Sequence, residues 1–532
     1  MVIVSINQHF DIVAPYIAGS PCRRREYETL RANLLCRSGE GRLLSFLPIL
    51  YGHDENITNE RRAESLQNLI IRNGLIVTAE RQFEGDIRIR GDKIVEIGRD
   101  LPRREGDERE LDAQGLLILP GGIDPHVHLT LPESVPATDR WVDDLTSGSK
   151  AALAGGITTV GNISFPQPGE TPLATLKREI KLVQQQAIAD VMFHPVLLPP
   201  IEAAIRELPQ MVAAGHTTIK VFMPMEEFDQ HVLAYLAALQ AAGEMGILTM
   251  IHCEDWAIIS ATSQALLAEG RGSLRYYAES RPVVSEVVAT QRAVAMCEAT
   301  GVPIYVVHLS SERALRVCEE AQARALPVYV ETRPLYLHLT QERYLDPGGA
   351  VYVGQPPLRE AHDVAALWEG LARGTIHTVA TDHAPWTREQ KLDPALNVAN
   401  LRPGTNELQV MLPMLYSEGV RKGKISLAQF VALTSTNAAQ LFGLYPRKGT
   451  IAVGSDADLV LWDPTESRVV RGSGLFSRAG FSIYEGAEVT GWPRITIRRG
   501  QVVYKNGRIT AQPGSGQLVQ RGGTTGPAKA EK

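Results

Sequence analysis

A chain of 532 residues, 44% hydrophobic and 21% charged, can bury a large core and is too long for one ordinary domain. A formal net charge of −6 leaves no basic excess to neutralise phosphates, which excludes a general nucleic-acid binder. The opening residues MVIVSINQHF begin no signal peptide, and no apolar run reaches the roughly eighteen residues a bilayer requires, so a soluble, cytoplasmic protein with no membrane partner is expected.

Residues 1–67 carry a basic cluster at Arg23, Arg24 and Arg25 but no periodicity, and read as an N-terminal extension of uncertain structure. From residue 68 the pattern sharpens. NLIIRNGLIV and DIRIRGDKIVEIG alternate like short strands broken by Asn-Gly and Gly-Asp turns. The same style returns in KGTIAVGSDADLVLWDP and ITIRRGQVVYKNGRIT, so residues 68–116 and 445–512 are expected to form one small β-sandwich built from both flanks. Residues 513–532, rich in Gly, Ser, Thr, Gln and Lys, read as a disordered tail. The five cysteines (Cys22, Cys36, Cys253, Cys297, Cys318) form no CxxC pair and are read as reduced thiols.

The middle, 117–444, alternates apolar runs with amphipathic stretches such as ERALRVCEEAQARA. Eight candidate strands lie in LLILPGGIDPHVHL, ITTVGNIS, DVMFHPVLL, TTIKVFMP, ILTMIHCE, PIYVVHLSS, PVYVETRPLYL and HTVATDHAP. Strands alternating with helices imply parallel pairing, and eight such units close an α/β, (β/α)8 TIM barrel. An open doubly wound sheet competes. Polar residues at the ends of well-separated strands favour the barrel, whose active sites assemble there.

Those polar residues are His126 and His128 on the first strand, Lys220 in the fourth, His252 on the fifth, His308 on the sixth and Asp382 on the eighth. Period-2 alternation puts His126 and His128 on one face, where two imidazoles reach one ion. A lone histidine ending a strand is more often a hydrogen-bonded core residue, and a lone aspartate more often a turn cap. Six such residues at matching strand ends are not explained that way. A lysine inside TTIKVFMP is costly as a buried ammonium; as a neutral amine it can take up carbon dioxide to give a carbamate, a carboxylate on a long arm.

PGGIDPHVHL, IKVFM, IHCE, VVHLSS and TDHAP together resemble the metal-site motifs of the cyclic-amide branch of the amidohydrolase superfamily: hydantoinases and dihydropyrimidinases, with dihydroorotases and allantoinases as relatives. The resemblance covers roughly residues 68–510, and STNAAQLFGLYPRKGTIAVGSDADLVLWDP is most similar to hydantoinases. It implies two divalent metal ions, zinc being expected. His126, His128 and Asp382 would hold the first and His252 and His308 the second, bridged by Lys220 as N6-carboxylysine formed with CO2 or bicarbonate. It further implies that a bridging hydroxide attacks a ring amide carbonyl while Asp382 acts as general base and then acid. A homodimer or homotetramer and a small cyclic amide substrate are implied as partners.

Departures from the family pattern bear on the substrate. Thr130 stands where dihydroorotases carry an arginine, and Met225 where hydantoinases carry an oxyanion-binding tyrosine; a thioether donates no hydrogen bond. In GQPPLRE, Gln355 occupies a position implied to contact the substrate ring, as do the backbone groups of Pro403 and Gly404 in RPGTNELQ. His383 reads as a hydrogen-bonding neighbour of the site. An allantoinase- or dihydroorotase-like ureide hydrolase, and a non-catalytic scaffold that has kept the fold, stand as alternatives.

Overall fold

The computed structural model describes residues 68–104 and 108–522. The extension 1–67, residues 523–532, Cys22 and Cys36 lie outside the described residues. Seventeen strands follow in chain order: β1 Leu69–Val77, β2 Gln82–Arg90, β3 Lys93–Gly98, β4 Arg109–Asp112, β5 Leu117–Pro120, β6 Gly122–Val127, β7 Ile157–Ser164, β8 Asp190–Pro195, β9 Thr218–Phe222, β10 Leu248–His252, β11 Ile304–Val306, β12 Val328–Thr332, β13 Thr378–Val379, β14 Leu459–Val469, β15 Glu488–Arg498, β16 Gln501–Lys505 and β17 Arg508–Ile509.

The barrel is built from β6 to β13, a three-stranded and a five-stranded parallel sheet whose neighbours are consecutive in sequence. Parallel bridges Val196↔Lys220 and Val127↔His383 join the two sheets on both sides, so the eight strands close into a ring. Successive side chains alternate between two cores, as a strand requires. Met192, Leu248, Met250 and Tyr305 enter one cluster, capped by Leu441 and Phe442. Val191, Ile219, Val221, Ile251, Ile304 and Val306 belong to the other, against the surrounding helices. Lys220 lies between Ile219 and Val221 and pairs with Met250, so its parity sends it inward, and His252 shares that parity.

The flanks form a nine-stranded, mostly antiparallel sheet in the order β17-β16-β15-β14-β5-β1-β2-β3, with β4 beside β1. It curls on itself: Ile87, Ile89 and Ile94 share a core with Leu459, Ile495 and Ile497, and the turn at Gly500 meets the carbonyl of Gly91. The run expected as the first barrel strand is thus divided. Leu117–Leu119 pair with β14 in the flank sheet, and only Gly122–Val127 enters the barrel. Gly121 sits at the break, where an added Cβ would lie 2.2 Å from the Thr158 hydroxyl.

Residues 513–522 do not behave as the start of a tail. Val519 donates to the Val191 carbonyl at 2.8 Å, and the Arg521 guanidinium, buried, bonds Thr218 Oγ1 and the Phe193 carbonyl at 2.9 Å each. Composition suggested disorder because the segment is polar and glycine-rich; its order comes from these few contacts with β8 and β9. Cys253, Cys297 and Cys318 are free and buried, in line with reduced thiols. No helix among the described residues is long and apolar enough to cross a membrane.

Two histidines set an acid limit on stability. Burial pushes His216 and His338 down to about 3 from an ordinary 6.5. Between those values the unfolded chain binds protons that the folded chain does not. Stability is therefore full above about pH 6.5 and falls below it, by about 1.4 kcal/mol per pH unit per histidine. Replacing His338 by Gln is expected to shallow the fall between pH 6.5 and 4 in chemical denaturation; an unchanged slope would contradict this.

Candidate metal centre

The six residues of the predicted set come to the barrel mouth from five strands, β6, β9, β10, β11 and β13. His126 and His128 end β6, and the ligand atoms of His126, His128 and Asp382 lie within 4.8 Å of one another. Asp382 Oδ1 is 2.7 Å from His128 Nε2 and 3.3 Å from His126 Nε2. The ring of His308 lies 5.5 Å from that of His126 and 4.3 Å from that of His252. The four imidazoles thus form one continuous chain. Lys220 Nζ stands 4.9 Å over the ring of Phe222, which itself touches His252.

The backbone is bent to make this possible. His308 and Asp382, each just past its strand, take φ values of +40° and +49°, a left-handed region that non-glycine residues enter at a cost. Both turns are held. Glu331 on β12 accepts the His308 backbone N–H at 2.9 Å, and Asp124 Oδ1 accepts the N–H of Thr381 at 3.2 Å and that of His126 at 3.1 Å.

A layer of partners orients the ligands behind these turns. Glu331 Oε1 lies 2.8 Å from His126 Nδ1, and its other oxygen accepts from the Tyr305 hydroxyl at 2.8 Å. Glu254 Oε2 engages His252 Nε2 at 2.7 Å and is itself gripped by Arg281. Arg333 donates to Asp382 Oδ2 at 3.0 Å and to Thr405 and Glu407. His383 Nε2 meets Asp143 at 2.9 Å, which fits its expected place as a neighbour of the site.

Burial decides the protonation of this cluster. It lowers the pKa of His126, His128, His252 and His308, leaving neutral imidazoles with lone pairs to give. Burial also brings Lys220 down to about 8, so a neutral amine is accessible near physiological pH. For Asp382 burial acts upward, but Arg333 and the two histidines outweigh it and hold the carboxylate well below its usual range. Several polar atoms are left without partners: His126 Nε2, His128 Nδ1, His308 Nδ1 and Lys220 Nζ are all buried and unbonded. Unpaired buried polar atoms are costly, and four of those among the described residues lie in this one cluster. Neutral nitrogens, a carboxylate and an ammonia-like amine in a dry pocket fit divalent ions of the zinc type.

The substrate residues are placed less simply. Gln355 is half-buried beside the Tyr277 hydroxyl. The Gly404 N–H donates to the Val353 carbonyl at 3.0 Å, its carbonyl accepts from Lys391 at 2.9 Å, and the Pro403 carbonyl accepts from Trp386 at 2.7 Å. These backbone groups, expected to be offered to a ring, are therefore paired within the protein. Lys391, which also bonds the carbonyls of Val353 and Arg402, ties the two loops together. Only glycine fits at 404, where φ is +120° and a Cβ would lie 2.2 Å from the Ala384 carbonyl. Thr130 is buried and accepts from Asn162 at 2.7 Å, and Met225 is buried with Phe222.

Sequence reasoning passed over Asp124, Glu331 and Arg333. Their signal was present: charges inside the apolar strings GGIDPHV and VYVETRP, where only paired groups survive. Replacing Glu331 by Gln removes the charge behind His126 and is expected to weaken metal affinity by about 10–100-fold in chelator competition. An affinity equal to wild type would show that Glu331 orients nothing.

Comparisons with known proteins agree with this geometry. Residues 117–503 match the amidohydrolase family. The chain is 37% identical over 457 residues to a D-hydantoinase of Geobacillus stearothermophilus, covering 85% of this chain and 96% of that protein. It superposes on the crystal structure of a dihydropyrimidinase from Brevibacillus agri with a TM-score of 0.80 at 35% identity, covering 87% of this chain and 100% of the other. An L-hydantoinase (dihydropyrimidinase) from Arthrobacter aurescens gives 0.78 at 29% identity, with 86% and 100% covered.

Proposed function

The chain belongs to the amidohydrolase family, and on that premise we propose that it hydrolyses the ring C–N bond of a cyclic amide or imide of the hydantoin and dihydropyrimidine type, releasing an N-carbamoyl or half-amide acid. The observation that carries this reading is the convergence of four neutral histidines, Asp382 and the unpartnered Lys220 at the barrel mouth. In this reading His126, His128 and Asp382 would hold one divalent ion and His252 and His308 a second, and Lys220, as N6-carboxylysine, would supply a further carboxylate ligand. Zinc suits the nitrogen and oxygen donors. When bound, such ions supply Lewis acidity: they polarise a carbonyl and bring the pKa of water from 15.7 to about 7.

The chain's own residues do the rest. A water adds to the ring carbonyl carbon, and Asp382 takes its proton. The same carboxyl delivers that proton to the ring nitrogen as the C–N bond breaks, so one group serves as base and then acid. Arg333 keeps Asp382 Oδ2 fixed and its charge balanced, which supports a carboxylate that remains ionised between turnovers. The uncharged Thr130, engaged with Asn162, supports a neutral ring over one bearing a carboxylate.

The test is a panel assay on metal-loaded protein with hydantoins, dihydrouracil, dihydroorotate, allantoin and cyclic imides. Turnover of hydantoins or dihydrouracil is expected. Activity confined to allantoin or dihydroorotate would replace the substrate class, and silence on every ring would overturn the proposal.

A further inference from the structure

One buried donor beside the metal ligands is used by nothing in the protein. Trp141, on the loop that follows β6, packs its indole 4.8 Å from the ring of His128, tilted by 55°. Its Nε1–H is buried and has no acceptor. The neighbouring indole of Trp386, 6.5 Å away, spends its N–H on the Pro403 carbonyl, as Trp368 and Trp492 spend theirs on backbone carbonyls. The other unanswered indole, Trp462, packs in the core between Tyr416 and Phe430.

The surroundings say what sort of acceptor is missing. Trp141 touches Phe165, which in turn touches His128 and Phe222, so an aromatic wall runs along the ligand cluster. Met225, buried in the same interior cluster as Phe222, offers no proton. His128 Nε2 lies 2.7 Å from the ionised Asp382, so a neutral ring donates its proton there and Nδ1 is left as an unpaired acceptor. The unanswered indole N–H of Trp141, on a ring packed against His128, suits an oxygen that arrives with the substrate and gains negative charge there.

Resting on the cyclic-amide reading above, we propose that Trp141 is a catalytic residue whose indole N–H donates to the carbonyl oxygen under attack, strengthening as that oxygen becomes an oxyanion. The wall of Phe165 and Trp386 then receives the flat face of the ring. A donor aimed at a developing oxyanion acts mainly on kcat, and its removal typically costs about 10²–10³ in turnover.

Trp141→Phe keeps a ring against His128 and deletes the donor; Trp141→Leu, also lacking it, is read in parallel against misfolding of the first. On the ring that the wild type opens fastest, kcat is expected to fall by about 10²-fold with KM changed less than about threefold. Metal content per chain is expected to match wild type. Calorimetric binding of N-carbamoylglycine to the metal-loaded proteins is expected to weaken about tenfold, the effect of one lost hydrogen bond. Two folded variants with kcat near wild type, or a loss confined to KM, would overturn the role of Trp141 while the cyclic-amide reading stands. A wild type inactive on every ring would overturn both.

Discussion

Replacing Lys220 by methionine is expected to abolish hydrolysis, lowering kcat by on the order of 10⁴-fold or more, and to lower bound metal to one ion per chain or fewer. Lys220 is completely buried, its amine has no hydrogen-bond partner, and it stands over the face of Phe222 within the field of Glu331 and Asp382. An isolated ammonium there would cost several kcal/mol, which methionine of similar volume avoids. The metal-free variant is therefore expected to melt no lower than metal-free wild type. Loss of activity then has to come from chemistry. Propionate added to Lys220→Ala supplies a free carboxylate to the space left behind and is expected to restore part of the turnover. A Lys220→Met protein keeping more than about a tenth of wild-type kcat would remove the carbamate from the account.

The second large effect is expected at Asp382. Asparagine has the same shape and can still accept from Arg333, so the turn at 382 and the ion pair of Arg333 with Glu407 are expected to persist. What is lost is the negative charge near His126 and His128 and, in the proposed mechanism, the carboxylate that carries a proton between water and the ring nitrogen. General acid–base groups contribute about 10²–10⁴, and kcat is expected to fall by that range in Asp382→Asn. Steady-state rates with parallel metal analysis separate the two losses. A variant that binds metal normally and turns over at the wild-type rate would exclude Asp382 as base.

The gathering of these six side chains at one end of the barrel was legible because a parallel barrel strand writes its geometry in the sequence. Polar residues ending apolar runs, as in VVHLSS and TDHAP, have few explanations other than a shared site at one end of the barrel. Lys220 was legible for the same reason, being the one charge in its strand. Its inward direction follows from the alternation with Ile219 and Val221. Less was legible where contacts are long-range. Nothing near residue 117 announces that Leu117–Leu119 leaves the barrel to pair with β14, more than three hundred residues later. The order of 513–522 rests on Arg521 meeting Thr218, again a distant pair that composition does not record.

The substrate side carried the weakest signal, and for a physical reason. Motif matching assigned the Pro403 and Gly404 backbone to a ring, but hydrogen bonds to Trp386, Val353 and Lys391 already engage those groups. Backbone donors carry no side-chain signature, so their partners emerge only from the fold. Trp141 is the converse case: a residue in an unremarkable loop string, ATDRWVDD, whose meaning depends on which ring it packs against.

The central claim is that these six side chains hold two ions. Elemental analysis of protein purified without chelators tests it most directly. The account predicts about two divalent ions per chain, falling to one or fewer in Lys220→Met. Protein that carries none, and regains none with zinc, manganese and bicarbonate, would contradict it and return the chain to the reading of a scaffold that has kept the fold.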